Sequence, residues 1–215
     1  MSEHMALENL TVLDLTRVLA GPFCTMMLAD MGANVIKIEV PKGGDDTRTY
    51  PPFRAKNLNG ERESVYFANI NRNKKGITLN LKAPEGKEIF KELVKKADIV
   101  VENYRPGVMD KLGLGYDVLK EINPRIIYAA VSGFGCYGPY HLRPGYDILA
   151  QAMGGMMSIT GSKGGEPTRA GSALGDILGG LHVTIGILAA VNARTITGKG
   201  QRVDVSLMDL SLIHI

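Results

Sequence analysis

The segment from Thr11 to Glu39 constrains the fold more than any other. Thr11-Val-Leu-Asp-Leu15 alternates and is β-prone, Ala20-Gly21-Pro22 makes a turn, and Pro22 suits a first helical position. The spacing predicts a helix over Pro22–Met31 that stops at Gly32, then a second strand, Asn34-Val-Ile-Lys-Ile-Glu39. Strand, helix and strand in this order make a βαβ unit, which requires a parallel sheet and a right-handed crossover. Glu39 closes the second strand with an acidic residue, as dinucleotide-binding units do. Their glycine fingerprint is missing, because only Gly21 lies in the turn and no G-x-G-x-x-G opens the helix. A NAD site is disfavoured; the shape of the fold is retained.

The alternation continues downstream. Residues 41–63 are polar and turn-rich and read as a long surface loop that could line a site. Gly76–Leu81 reads as a strand, and a helix starting at Pro84-Glu85 carries Ile89, Phe90, Leu93 and Val94 at helical spacing. Then come a strand over Asp98–Glu102, a short helix near Tyr116–Ile122, a strand over Arg125–Ser132 and the glycine-rich Gly133–Gly138. Gly145 to Thr160 is helical in pattern, Gly161–Gly165 is a loop, Gly175–Ile196 is a long apolar helix and Gln201–Leu207 is a last strand. Strands alternating with helices predict an α/β fold with a parallel sheet, and no linker divides residues 1–200.

Composition narrows the function classes. Lys plus Arg is 25 against 22 Asp plus Glu in 215 residues, a net charge of +3 that excludes a disordered tail or a supercharged nucleic-acid arm. It suits an anionic small molecule. Cys24 and Cys136 are too few for a disulfide scaffold or a Cys-ligated zinc site and fit a reducing, cytoplasmic setting. Met1–Leu10 contains two Glu and no apolar run, so neither an export signal nor a membrane partner is expected.

Seven segments together resemble one family: Leu15-Thr-Arg-Val-Leu-Ala-Gly-Pro22, Met31–Glu39, Asn71-Arg-Asn-Lys-Lys75, Asp98–Gly107, Arg143-Pro-Gly-Tyr-Asp147, Gly175-Asp176 and Thr197–Ser206. The chain is identified over residues 8–209 as similar to the class III coenzyme A transferases, which include formyl-CoA:oxalate and carnitine CoA-transferases. The resemblance implies a Rossmann-like large domain built from both ends of a longer chain, a smaller domain between them, and an interlocked homodimer. Residues 1–200 would then be the first part of the CoA-binding large domain. Residues 201–209 would lead to a missing small domain, and 210–215 would be a non-native tail. The fragment alone would be inactive.

The resemblance also implies an acyl-CoA donor, a small carboxylic acid acceptor and an aspartate nucleophile, here Asp176, with CoA as substrate and no metal or NAD. It places Val18, Leu19, Ala20, Leu79, Lys82, Asn103, Tyr104, Arg105, Lys111 and Arg143 around CoA. Leu19 replaces a glutamine of the oxalate-type enzyme and Val40 an arginine, which puts oxalate specificity and part of the phosphate contact in doubt; Arg48 is an extra candidate phosphate ligand. Read without the family, Asp176 is an N-cap on an apolar helix, and Lys82, Lys111 and Arg143 are solvated charges. A helix N-terminus also stabilises the ionised carboxylate that a nucleophile needs. Gly175, Gly179 and Gly180 are expected to leave room for a thioester.

Three other readings stay open. An α-methylacyl-CoA racemase would use a His and an Asp as acid and base; here the relevant motif is Gly145-Tyr146-Asp147, without its histidine, although a loop could present His141. A non-catalytic CoA- or nucleotide-binding module is the second. A NAD-dependent oxidoreductase is the third and is disfavoured by the missing fingerprint.

Overall fold

The computed structural model describes residues 4–211 apart from 57–59 and 61. Six parallel strands form one sheet: β1 (Thr11–Asp14), β2 (Asn34–Glu39), β3 (Lys75–Thr78), β4 (Ile99–Glu102), β5 (Ile127–Ser132) and β6 (Arg202–Ser206). Their order is β3-β2-β1-β4-β5-β6. The order reverses between β1 and β4, and in doubly wound sheets ligands bind outside the carboxyl ends of the strands at that point.

Alternation along each strand builds a core on both faces. Val12, Val35, Ile99, Val101 and Ile127 point to one side and meet Cys24 and Leu28 of α1 (Ala20–Asp30) and Val183 and Ile187 of α7 (Leu174–Thr197). Leu13, Val100 and Tyr128 point to the other. There they meet Phe90 and Val94 of α3 (Pro84–Val94), Met109 of α4 (Val108–Lys111) and Leu119 of α5 (Tyr116–Ile122). Cys24 is fully buried, and burial pushes its thiol up to about 12, which makes it inert.

Several boundaries differ from the sequence pattern. The expected strand Gly76–Leu81 is Lys75–Thr78, because pairing with β2 stops where β2 ends, at Glu39 opposite Thr78. The long loop holds a 3₁₀ turn, Asp46–Thr49, and is followed by α2 (Val65–Ile70), whose N-cap Ser64 accepts from the Phe67 N–H. The expected helix from Gly145 to Thr160 is α6 (Asp147–Met153) plus a 3₁₀ turn, Met156–Ile159, separated by Gly155 in the left-handed region. β6 leads into α8 (Leu207–Leu210), and Ser211 is buried with its hydroxyl donating to the Leu207 carbonyl; residues 212–215 of the expected tail lie outside the described ones.

α7 is long and apolar enough by composition to cross a membrane. One face packs on α1, β5 and β6. Its glycines do not leave space for a ligand, as the sequence reading had it. A Cβ at Gly180 would lie 2.7 Å from the Ala20 carbonyl oxygen, and one at Gly179 would collide with Leu207. They let α1 and α8 approach instead.

Buried charges tie the carboxyl ends of β1 and β2 together. Lys74 Nζ lies 3.0 Å from Asp14 Oδ2 and Lys37 Nζ lies 2.9 Å from Asp45 Oδ2, all four side chains being at most 2% exposed. Asp14 also accepts from the hydroxyls of Thr16 and Thr25, and Lys74 donates to the Pro22 carbonyl and to Asn71. Burial alone would raise the Asp14 pKa, but the Lys74 and Lys37 charges and the two threonines overcome it and leave the carboxyl at about 2. A carboxyl depressed by folding contributes stability above its unfolded value, about 4, which is lost as pH falls towards about 2. Replacing Lys74 by Met strands a buried carboxylate and is expected to cost about 3–5 kcal/mol at neutral pH, read from urea melts of the full chain. The gap to the parent should narrow below about pH 4.

Candidate functional site

A cleft of about 480 Å³ opens at the reversal point of the sheet. Three segments that leave adjacent strand ends wall it: Arg17–Ala20 after β1, Asn103–Pro106 after β4, and Val131–Gly133 at the end of β5. Arg143–Tyr146, Asp46, Tyr50, Leu207 and Asp176 complete it. Of the residues singled out in the sequence, Val18, Leu19, Ala20, Asn103, Tyr104, Arg105, Arg143 and Asp176 all line this one cleft.

Leu79, Lys82 and Lys111 are not among its lining residues. Leu79 packs against the core beside α3, Lys82 is exposed with its N–H on Asn80 Oδ1, and Lys111 is exposed at the end of α4. Arg48 also lies outside the lining of this cleft. Its Nε and Nη2 pair with Glu39 at 2.8 and 2.7 Å and its guanidinium lies over the Phe67 ring at 3.8 Å, while the side chain stays 45% exposed. The cations facing the cleft are Arg17, Arg105 and Arg143, the guanidinium type that suits phosphate oxygens.

Asp176 is not the N-cap of α7. The helix begins at Leu174 after Ala173, which offers no side-chain cap, and Asp176 sits in its first turn. The cap is supplied from another segment: Asp147, at the start of α6, accepts from the N–H of Gly175 at 2.8 Å and of Asp176 at 3.4 Å. Gln151, one turn on, donates to Asp147 Oδ2 and accepts from the Ala170 N–H, so the whole cap is buried and satisfied. With its backbone held this way, the Asp176 carboxyl faces the cleft. Burial, and then the Asp147 charge, push it up to about 7. The Asp176 charge in turn is felt at Tyr66 of α2, whose hydroxyl is raised to about 12, mainly by burial.

The wall after β4 is held by Glu102, which accepts from the Tyr104 N–H at 2.7 Å and from the Tyr128 hydroxyl at 3.1 Å. Burial pushes its carboxyl up to about 7. Among the described residues no histidine lines the cleft. His141 binds the Gly138 carbonyl through Nδ1, and His182 binds the Leu178 carbonyl on the exposed side of α7.

Sequence reasoning missed Asp147 as a cap, and Arg17, Asp46, Tyr50 and Tyr146 as cleft residues. Asp147 carried no local signal, because its partners lie 28 and 29 positions away. Tyr146, 68% exposed within the Gly-Tyr-Asp motif, did carry one.

Residues 7–214 match the model of CoA-transferase family III. An acetyl-CoA:oxalate CoA-transferase of Acetobacter aceti is 50% identical over 209 residues, covering 97% of this chain and 52% of its own length. A human succinyl-CoA:glutarate CoA-transferase is 47% identical over 209 residues, with 97% and 46% covered. Among solved structures, a CAIB/BAIF family protein from Brucella suis superposes with a TM-score of 0.92 at 46% identity, covering 97% of this chain and 55% of that one. The chain spans about half the length of the curated relatives it matches.

The raised Asp176 carboxyl has a measurable cost. Folding disfavours its ionised form, so the cost is full above about pH 7 and vanishes as pH falls towards about 4. Asp176→Asn should therefore raise the melting temperature of the full chain by up to about 10 °C at pH 8 and leave it unchanged at pH 4. Asp147→Asn keeps an acceptor for the Gly175 N–H but removes the neighbouring charge. It should lower the Asp176 pKa, followed by the carboxyl carbon shift in NMR, by less than about one unit.

Proposed function

Because this chain belongs to CoA-transferase family III, we propose that it carries the nucleophile and most of the acyl-CoA site of an enzyme moving coenzyme A from an acyl-CoA donor to a small carboxylic acid. The observation that supports this most directly is Asp176: a carboxyl with no side-chain hydrogen-bond partner among the described residues, set on a capped helix end and lining the cleft together with Arg17, Arg105 and Arg143. A carboxylate that burial holds near neutral pKa is a stronger nucleophile than a solvated one, at the cost of partial protonation.

The reaction proceeds in balanced exchanges. The ionised Asp176 attacks the thioester carbonyl of the donor, the C–S bond breaks, and CoA leaves as thiolate while an aspartyl-acyl anhydride forms. The thiolate attacks the aspartyl carbonyl, giving an aspartyl-CoA thioester and the free donor acid. The acceptor carboxylate attacks that thioester, and the released thiolate then attacks the acceptor's side of the new anhydride. The new acyl-CoA leaves and Asp176 is regenerated. The thioester bond energy is carried through, and no net proton is taken up.

Both intermediates hydrolyse readily, so water has to be kept from Asp176. A partner could do this. α7 leaves Leu181 and Ile185 exposed, and near the cleft Tyr146, Ile148 and Leu149 are exposed too. An apolar surface of this kind fits the homodimer that the family resemblance implies.

Incubation of the full-length, active protein with an acyl-CoA followed by hydroxylamine or borohydride should modify Asp176 and no other carboxylate, as read by peptide mass. Asp176→Asn should abolish both labelling and transfer, by at least about 10⁴-fold, since it removes the covalent route. Labelling elsewhere, or transfer that survives Asp176→Asn, would overturn the assignment. A panel of acyl-CoA donors and carboxylic acids then identifies the pair.

A further inference from the structure

The turn that follows β1 is held in a conformation its own sequence opposes. Val18 has a φ of 67°, in the left-handed region, which a β-branched residue adopts only when its surroundings enforce it. The residues before it are pinned. Asn103 accepts from the Arg17 N–H at 2.8 Å and donates to the Arg17 carbonyl at 2.7 Å. Lys37 Nζ donates to the Thr16 carbonyl at 2.8 Å.

The Val18 N–H itself is received by Asp45 Oδ1 at 3.2 Å. Asp45 comes from the loop after β2, is 1% exposed, and is held on every side. Its Oδ2 faces Lys37, its Oδ1 also takes the N–H and hydroxyl of Thr47, and its own N–H donates to Glu39 Oε2 at 2.8 Å. Gly44, at φ 68°, gives the chain the bend that delivers Asp45 to this place.

We propose that Asp45, together with Lys37, is a positioning residue for the acyl-CoA site: it locks the Val18 turn in its left-handed form and so fixes the cleft wall made by Leu19 and Ala20. This rests on the reading of the cleft as a CoA site. Without the clamp, Val18 relaxes towards negative φ, the peptide planes on either side rotate, and only a fraction of molecules present a competent wall. Apparent affinity falls by that fraction, while the rate at saturation is retained. Glycine adopts positive φ at no steric cost, so Val18→Gly removes the strain that the clamp has to overcome.

The test is a coupled set of variants of the full chain. Lys37→Met with Asp45→Ala removes the clamp without leaving a buried charge unpaired. Its KM for acyl-CoA should rise by about 10-fold or more with kcat within about 2-fold, because only the competent fraction changes. In the Val18→Gly background the same pair should raise KM by less than about 3-fold, because the left-handed turn no longer needs enforcing. If the pair does not fold, Asp45→Asn, which keeps the shape and removes the charge, should show the same pattern at about 3-fold, again erased by Val18→Gly.

An unchanged KM, a lowered melting temperature with the same KM, or an equal penalty in both backgrounds would overturn the proposal. Calorimetry of CoA on the parent protein separates the two levels. No binding there would overturn the CoA reading and the proposal with it, whereas binding with uncoupled penalties would overturn the clamp alone.

Discussion

Two carboxylates and two ammonium groups, closed off from water at the carboxyl ends of β1 and β2, hold the ligand-facing side of this fold in register. Asp14, Lys37, Asp45 and Lys74 come from four separate stretches of chain. Desolvating them is expensive, and an apolar replacement of matching shape is often as stable. What the cluster supplies is direction. Lys74 reaches the Pro22 carbonyl and Asp14 takes Thr25, so the start of α1 is fixed relative to β1 and to the chain entering β3. Lys37 and Asp45 fix the turn between β1 and α1.

The other half of the site is built by a different device on the same scale. α7 has no local cap, and the acidic residue that completes its first turn arrives with α6. One carboxylate thereby orients a second and makes its ionisation harder. The strand order explains why these devices meet: reversal between β1 and β4 opens a gap at the strand ends, and the loops that fill it are the ones each device holds.

Much of this was legible in the sequence, and what was not shares a physical cause. The βαβ opening, α7 and the position of Asp176 follow from local periodicity and turn chemistry, which a linear reading captures. Lys37 inside a strand and Lys74 in a basic run look like solvated charges until their partners, 8 and 60 positions away, are in place. Asp147 escaped for the same reason. Lys82 and Lys111 lie outside the lining of the cleft, a placement that their motif positions alone do not reveal. The pairing of Arg48 with Glu39 was equally hidden, because Glu39 reads as a strand terminus until the loop that carries Arg48 folds back on it. The glycines of α7 were read as space, although close helix contact uses the same residue.

That contact sets one dimension of the cleft. Gly180 rests against the Ala20 carbonyl, so the helix carrying Asp176 and the helix that begins at the cleft-lining turn touch through main chain. The contact is indifferent to changes in the surrounding side chains and sensitive to one at Gly180 itself, where a Cβ would lie 2.7 Å from the Ala20 carbonyl oxygen. The separation between Asp176 and the turn at Leu19 and Ala20 therefore behaves as a fixed gauge. Changes at the exposed walls, Tyr146 and Arg143 among them, reshape the space beside that gauge while its length stays the same.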